Sequence, residues 1–171
     1  MAIMTGWAQR AGFASEDELF RTFYLENDTV DYGAQSVIQY VFDRLPSYSL
    51  VDYYDSTGCF DATTFPVIEG WLDAGCSVGI KYLHGTPAEN EGNHVVTLWG
   101  LLKDFRYMPG DPRHYVAVIV SDSDDDKRGY TTAESAPNRV KIWSVRWDES
   151  DNVYYIDDGF LVNALCLAPL K

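Results

Sequence analysis

Histidine and cysteine are scarce in this sequence. There are three residues of each type, and the three cysteines, Cys59, Cys76 and Cys166, stand far apart with no CxxC spacing. Structural zinc centres and disulfide-dense scaffolds need cysteines in close sequence groups, so the chain fits neither class. The count allows one disulfide, but a cysteine inside an apolar run, such as Cys166, is more typical of a small buried side chain.

Positive charge is also scarce, because 13 Lys and Arg stand against 26 Asp and Glu and give a formal net charge of −13. Nucleic acids and anionic membranes are bound largely through Lys and Arg at phosphates, so this balance argues against both as partners. No apolar run approaches the roughly 20 residues of a membrane helix. The start, MAIMTGWAQRAG, lacks the basic and then apolar pattern of a signal peptide, which leaves the compartment open.

What the sequence does contain is enough apolar material for a core. The apolar share is 46% and the aromatic share 15%, which predicts a single folded domain over residues 1–171. Three segments have helical spacing, at residues 15–27, 33–47 and 65–75. The first opens with Ser15 and Glu18 as a capping pair, the second is stopped by Pro46, and the third by Gly75.

β-branched and aromatic runs dominate after Gly75. The runs CSVGIKYL, HVVTLWGLL, YVAVIVSD, RVKIWSVRW, VYYIDDG and FLVNALCLA predict six strands. RWDESDNVYY predicts a hairpin, and HGTPAENEGN and KDFRYMPGDPR predict loops. The uninterrupted YVAVIV predicts a central strand buried on both faces. The fold class is therefore α+β, with N-terminal helices packed on an antiparallel sheet of about five or six strands.

Two strand ends carry polar residues that can do chemistry. His94 heads NHVVTLWG, and the run YVAVIVSDSDDD ends in carboxylates from Asp122 onward. Adjacent strands lie roughly 5 Å apart, so His94 and Asp122 could meet if their strands are neighbours. A calcium loop built on Asp122 and Asp124 fails, because Lys127 stands where that loop needs glycine. No metal site is expected.

The order WLDAGCSVGIKYLHG, NHVVTLWG and VAVIVSDSD resembles the C-terminal half of the IdeS/Mac family of immunoglobulin-degrading cysteine endopeptidases, which are papain-like. The resemblance covers roughly residues 65–126. It implies a papain-like half, a protein substrate, no cofactor and a secreted protein. It also implies that His94 is the catalytic base, that Asp122 orients it, and that Asp124 is a supporting carboxylate.

The nucleophile is the part of the pattern that the sequence lacks. A cysteine nucleophile reacts as a thiolate and needs an imidazole beside it, and residues 1–58 contain no cysteine. Cys59 is the one candidate in the right order, but the helix after it matches the element before the family's histidine strand. We therefore expect that this chain lacks the nucleophile and that a separate, Cys-bearing segment supplies it. The alternative is a catalytically inactive, peptidase-like module that binds a protein partner, or a secreted effector.

Overall fold

The structure is a computed structural model, which describes residues 2–27, 34–58, 62–121, 140–157 and 159–169. It divides into two compact units, Met1–Asp55 with Leu167–Lys171, and Ser56–Cys166. Each unit has its own hydrophobic core. The single domain over residues 1–171 stays a prediction.

The first unit is helical in its described part. It contains α1 (Ala2–Arg10), α2 (Glu16–Glu26), α3 (Ala34–Phe42) and α4 (Leu50–Tyr53). Trp7 lies at the centre of the core, where it is fully buried and its ring centroid is 4.6 Å from that of Phe42. Its indole N–H donates a hydrogen bond to the Ala168 carbonyl at 3.0 Å. The remaining large buried side chains of this core are Leu19, Phe23, Val37, Ile38, Val41, Leu45 and Leu167.

The capping pair predicted for α2 is confirmed. Ser15 Oγ accepts the backbone N–H of Glu18 at 3.1 Å, and Glu18 Oε2 accepts the backbone N–H of Ala14 at 2.5 Å. The first bond satisfies an N–H group that the first helical turn cannot pair internally, and the second bond ties the residue before the cap to the helix. The second predicted helix is present as α3, but it ends at Phe42, ahead of Pro46.

The second unit is built from one helix and a sheet. The helix is α5 (Thr64–Asp73), and β1 (Tyr54–Gly58) precedes it across the boundary between the units. The other strands are β2 (Ser77–Gly85), β3 (Asn90–Lys103), β4 (Tyr115–Ser121), β5 (Val140–Asp148), β6 (Val153–Ile156) and β7 (Gly159–Leu167). A short 3₁₀ turn, Pro112–His114, leads into β4.

The seven strands form one sheet in the order β1-β7-β2-β3-β4-β5-β6, and β6 also pairs with β7. The strands from β2 to β7 are antiparallel in each consecutive pair. Because β7 pairs with β2 on one side and with β6 on the other, these six strands close into a barrel. Gly159 fits the closure, since a Cβ on it would lie 2.2 Å from the carbonyl oxygen of Leu83 in β2.

The core of the second unit lies between α5 and the inner faces of the strands. Strand β2 shows the alternation that produces it: Val78, Ile80 and Tyr82 are buried, while the residues between them are partly exposed. From α5, Phe65 and Ile68 are fully buried in the same core. The polar ends of the strands therefore lie at the two rims of the barrel.

The mixed α+β class is confirmed, and all six predicted strands are present. Helices α1 and α4 and strand β1 were not predicted from the sequence. The prediction that YVAVIV is buried on both faces is wrong, because Val116 in β4 is 39% exposed and Ile119 is only partly buried. None of the helices that the structure describes is long and apolar enough to cross a membrane.

Candidate functional site

The β2–β3 hairpin sets the position of His94. Its connection is closed by reciprocal backbone hydrogen bonds between Thr86 and Glu89, at 2.9 and 3.1 Å. In the register of this pair Tyr82 lies opposite His94, and a bulge follows, so that His84 lies opposite Glu91. Gly92 has a φ of +69°, a conformation that glycine adopts without strain.

This geometry corrects one prediction. HGTPAENEGN was predicted to be a loop from His84 onward, but His84 belongs to β2 and residues 90–93 belong to β3. The polar composition of the segment concealed two strand ends. The loop itself is only the stretch between Gly85 and Asn90.

His94 lies on the inner face of β3. It shares that face with Val96 and Leu98, which are each 2% exposed, and it is itself half-buried at the rim. Its imidazole packs edge-to-face on the Tyr82 ring, with 5.7 Å between centroids and 89° between planes. The histidine therefore has its inner side against the core and its outer side toward the rim.

Tyr82 is the centre of a small group of rings. It is 1% exposed, and two further rings contact it edge-to-face: His84 at 5.0 Å and Trp143 of β5 at 5.5 Å. We call Tyr82, His84, His94 and Trp143 the rim cluster. It brings two of the three histidines of the chain to one end of the barrel.

The end of β4 reaches the same rim. Ser121, the last residue of β4, pairs with Thr97 of β3, three residues from His94. Trp99 ties the two strands on the outer face by donating its indole N–H to Ser121 Oγ at 2.9 Å. Ser121 also pairs with Val140, the first residue of β5. Asp122 and Asp124, which the sequence analysis made the partners of His94, lie outside the described residues.

The two described cysteines lie away from the rim cluster. Cys76 precedes β2 and is six residues from Tyr82, which corresponds to about 20 Å along a strand. Cys166 is 4% exposed in the core, and it is seven residues, or about 23 Å, along β7 from Gly159. Gly159 marks the cluster's end of the barrel, because its position lies against Leu83 and Tyr82. Neither thiol lies beside His94.

Cys59 lies outside the described residues, but its neighbour Gly58 is described. The Gly58 carbonyl accepts a hydrogen bond from Thr64 Oγ1 at 3.4 Å, at the first residue of α5. The next residue, Phe65, stacks on Tyr115 with 5.0 Å between ring centroids. Tyr115 begins β4 and pairs with Lys103, the residue at the end of β3 farthest from His94. Gly58 therefore lies near the opposite rim.

The opposite rim is held by polar contacts of its own. Glu69 of α5 forms an ion pair with Lys103 and accepts a hydrogen bond from the Tyr115 hydroxyl at 3.0 Å. Burial raises the pKa of the Tyr115 phenol. His114 is 3% exposed, and its Nδ1 lies 2.9 Å from the Tyr107 carbonyl oxygen, so the third histidine holds the loop before β4 in place.

Sequence reasoning identified His94 but missed His84 and Tyr82. The alternation of KYLH predicts that Tyr82 and His84 share one face, but their position beside His94 depends on the register of the hairpin. In the described ranges, no three His, Cys, Asp or Glu side chains are arranged to hold a metal ion. Comparison of the sequence with protein-family models finds no match, and comparison with curated proteins finds none either.

Proposed function

We propose that this chain is an IdeS/Mac-like cysteine endopeptidase domain with a papain-like arrangement. In this proposal His94 is the base, Asp122 orients its imidazole, and Asp124 is a second carboxylate in support. The substrate is a protein and no cofactor is involved. The motifs NHVVTLWG and VIVSDSD carry the resemblance on which the proposal rests.

The pairing of Thr97 with Ser121 is the observation that supports the proposal most strongly. His94 is three residues before Thr97, about 10 Å along β3. Asp122 follows Ser121 directly, and consecutive Cα atoms are about 3.8 Å apart. The proposal requires the chain after Ser121 to continue beside β3, so that a carboxylate meets the imidazole of His94.

The chemistry assigned to His94 is a proton transfer in each direction. Its imidazole takes the proton of a cysteine thiol, and the thiolate attacks the carbonyl carbon of the peptide. The imidazolium then gives that proton to the leaving amine, and an acyl-thioester remains. Water, deprotonated by the same imidazole, hydrolyses the thioester and restores the thiol. A carboxylate on the other ring nitrogen fixes the tautomer that this sequence needs.

The proposed mechanism also needs a thiol. Its two candidate sources are Cys59 and a separate Cys-bearing segment. A peptidyl vinyl sulfone, which alkylates activated cysteines, tests Cys59. If Cys59 is the nucleophile, the wild-type chain should be labelled at Cys59, and the label should be lost in His94→Ala and in Cys59→Ser. Cys76→Ser is the matched control, because Cys76 is a thiol remote from His94, and this variant should label like the wild type.

Labelling of Cys59 that persists in His94→Ala would contradict the proposal, since the imidazole would then have no part in activating the thiol. If the chain alone stays unlabelled, the assay is repeated with the source protein that includes any preceding segment. Absence of His94-dependent labelling there as well would rule out the peptidase function.

A catalytically inactive, peptidase-like module that binds a protein partner is the second candidate. It is favoured by the distance of Cys76 and Cys166, the two described cysteines, from the rim cluster. This candidate predicts that wild type and His94→Ala remain equally unlabelled and that neither cleaves an unfolded protein substrate. His94-dependent cleavage would exclude it.

A further inference from the structure

We propose that Tyr82 is a positioning residue for His94, which holds the imidazole in one orientation at the rim of the barrel. The inference deepens the proposed function and rests on it for its catalytic meaning. The geometric part stands on the ring contacts of the rim cluster alone.

The first support is the contact itself. Tyr82 and His94 are directly opposite in the antiparallel register, where side chains on one face are closest to each other. Their rings meet at 5.7 Å and 89°, the edge-to-face arrangement that aromatic rings prefer. A histidine rotating about its side-chain bonds would lose this contact, so the tyrosine favours one rotamer.

The second support is that Tyr82 cannot move away. It is 1% exposed, and its ring is bounded by Trp143 at 5.5 Å and 78° and by His84 at 5.0 Å and 72°. Trp143 is 8% exposed and belongs to β5, so a buried ring from another strand of the barrel packs against the tyrosine. A side chain braced in this way acts as a fixed wall against which the imidazole rests.

A base that is held in one orientation loses less conformational freedom when it meets its thiol and carboxylate partners. The edge-to-face contact that holds the His94 ring in this way needs an aromatic ring at position 82. The phenolic hydroxyl is not part of this role, so phenylalanine should replace tyrosine, whereas leucine should not.

Nuclear magnetic resonance of the histidines tests the inference without any catalytic readout. The chain has only three histidines, so each imidazole can be assigned by single substitution. In the wild type we expect nuclear Overhauser effects between the rings of Tyr82 and His94 and one His94 rotamer. Tyr82→Phe should preserve both. Tyr82→Leu should leave His94 averaged over several rotamers.

His114 is the internal control, because it lies at the opposite rim and is held by Tyr107. Its resonances should stay unchanged in both variants, and a shift of all three histidines would report general unfolding of Tyr82→Leu. If Tyr82→Leu unfolds, the Overhauser effects and the His94 rotamer of the wild type decide whether the inference holds. His94 averaged over several rotamers in the wild type, or unaltered in a folded Tyr82→Leu, would overturn the inference.

The vinyl sulfone assay separates this inference from the proposed function. If the peptidase proposal holds, Tyr82→Phe should label at the wild-type rate and Tyr82→Leu more slowly, with the resonances of His94 changed in parallel. If no variant labels, the peptidase proposal fails, and the resonance data still decide whether Tyr82 orients His94. Equal labelling rates in Tyr82→Phe and a folded Tyr82→Leu would contradict the positioning role.

Discussion

At the scale of single residues, the loop before β4 contains two Asp–Arg pairs with the same hydrogen-bond pattern. Asp104 accepts the backbone N–H of Arg106 at 3.0 Å and two donors of its guanidinium, and Asp111 does the same with Arg113. In each pair the arginine lowers the pKa of the carboxyl to about 2, from an ordinary value of 3.8. Two short-range clamps therefore organise a segment that has no regular structure until the 3₁₀ turn.

The lowered pKa of Asp111 makes a prediction about pH. Because the folded pKa lies below the unfolded one, the stabilisation is fully present above about pH 4 and is lost as the pH falls toward 2. The melting temperature of Asp111→Asn should therefore lie below that of the wild type at neutral pH, and the gap should narrow as the pH falls. Thermal denaturation in buffers from neutral pH to the onset of acid unfolding measures this.

Arg113→Gln serves as the matched variant, since the guanidinium is the first cause of the lowered Asp111 pKa. The difference in melting temperature between this variant and the wild type should also narrow as the pH falls. A gap between wild type and Asp111→Asn that stays constant with falling pH would show that the clamp does not stabilise the fold through its charge.

Residue roles were predictable from the sequence only where the local pattern is unusual. His94 stands out because a histidine opens an apolar strand, and its place on the inner face follows from alternation. Tyr82 and His84 do not stand out, because a tyrosine in a strand and a histidine before a glycine are ordinary. Their meeting depends on the hairpin register and on the bulge between Leu83 and His84, which composition does not encode.

At the scale of elements, the start of α2 and the start of α4 offer a direct comparison. Ser15 caps α2 with its side chain, whereas Ser49, the residue before α4, makes no side-chain cap hydrogen bond. Both are serines in extended conformation at a helix start. They differ in the hydrogen bond from the helix backbone to the serine hydroxyl, which is the interaction through which an N-cap stabilises a helix.

We expect Ser15→Ala to lower the free energy of unfolding by about 1 kcal/mol, because the Glu18 N–H loses its acceptor. Ser49→Ala should change it much less. Chemical denaturation of the two variants and the wild type, with equal m-values, provides the measurement. Equal losses in both variants would mean that the Ser15 hydroxyl is not what stabilises α2.

The elements missed by the sequence analysis differ in kind. The spacing of Ile3, Met4, Trp7 and Ala8 is helical, so α1 is predictable from a local pattern. Strand β1, YDSTG, has no alternation of large apolar residues, and its pairing in the sheet depends on a strand more than a hundred residues later. Short-range patterns cannot predict such a strand.

At the scale of the whole molecule, closure of the barrel depends on a close approach between β7 and β2. A side chain at Gly159 would meet the Leu83 backbone at 2.2 Å and the Tyr82 ring at 3.0 Å. A flexible side chain can move aside, but a strand backbone cannot do so without separating the pair. The sequence predicted the strands but not their closure, which is a property of residues far apart in the chain.

Gly159→Ala should therefore destabilise the protein by about 1–3 kcal/mol or more, as overpacking does in a closed core. Gly70→Ala is the matched control: Gly70 lies inside α5, and a Cβ there would meet nothing within 4 Å. That variant should gain about 0.5–1 kcal/mol from helix propensity. Equilibrium denaturation of both variants gives the two values, and a neutral Gly159→Ala would show that β7 and β2 can separate without cost.

The ring of strands also has a consequence for synthesis on the ribosome. Strands β2 to β5 can pair in the order in which they emerge, each with the one before it, but β7 is the last of the seven strands along the chain. Until it emerges, the nascent sheet exposes the unpaired edge of β2 to other chains. A delay in synthesis after β2 has emerged and before β7 has emerged prolongs this exposure, and it should lower the yield more than an equal delay before β2.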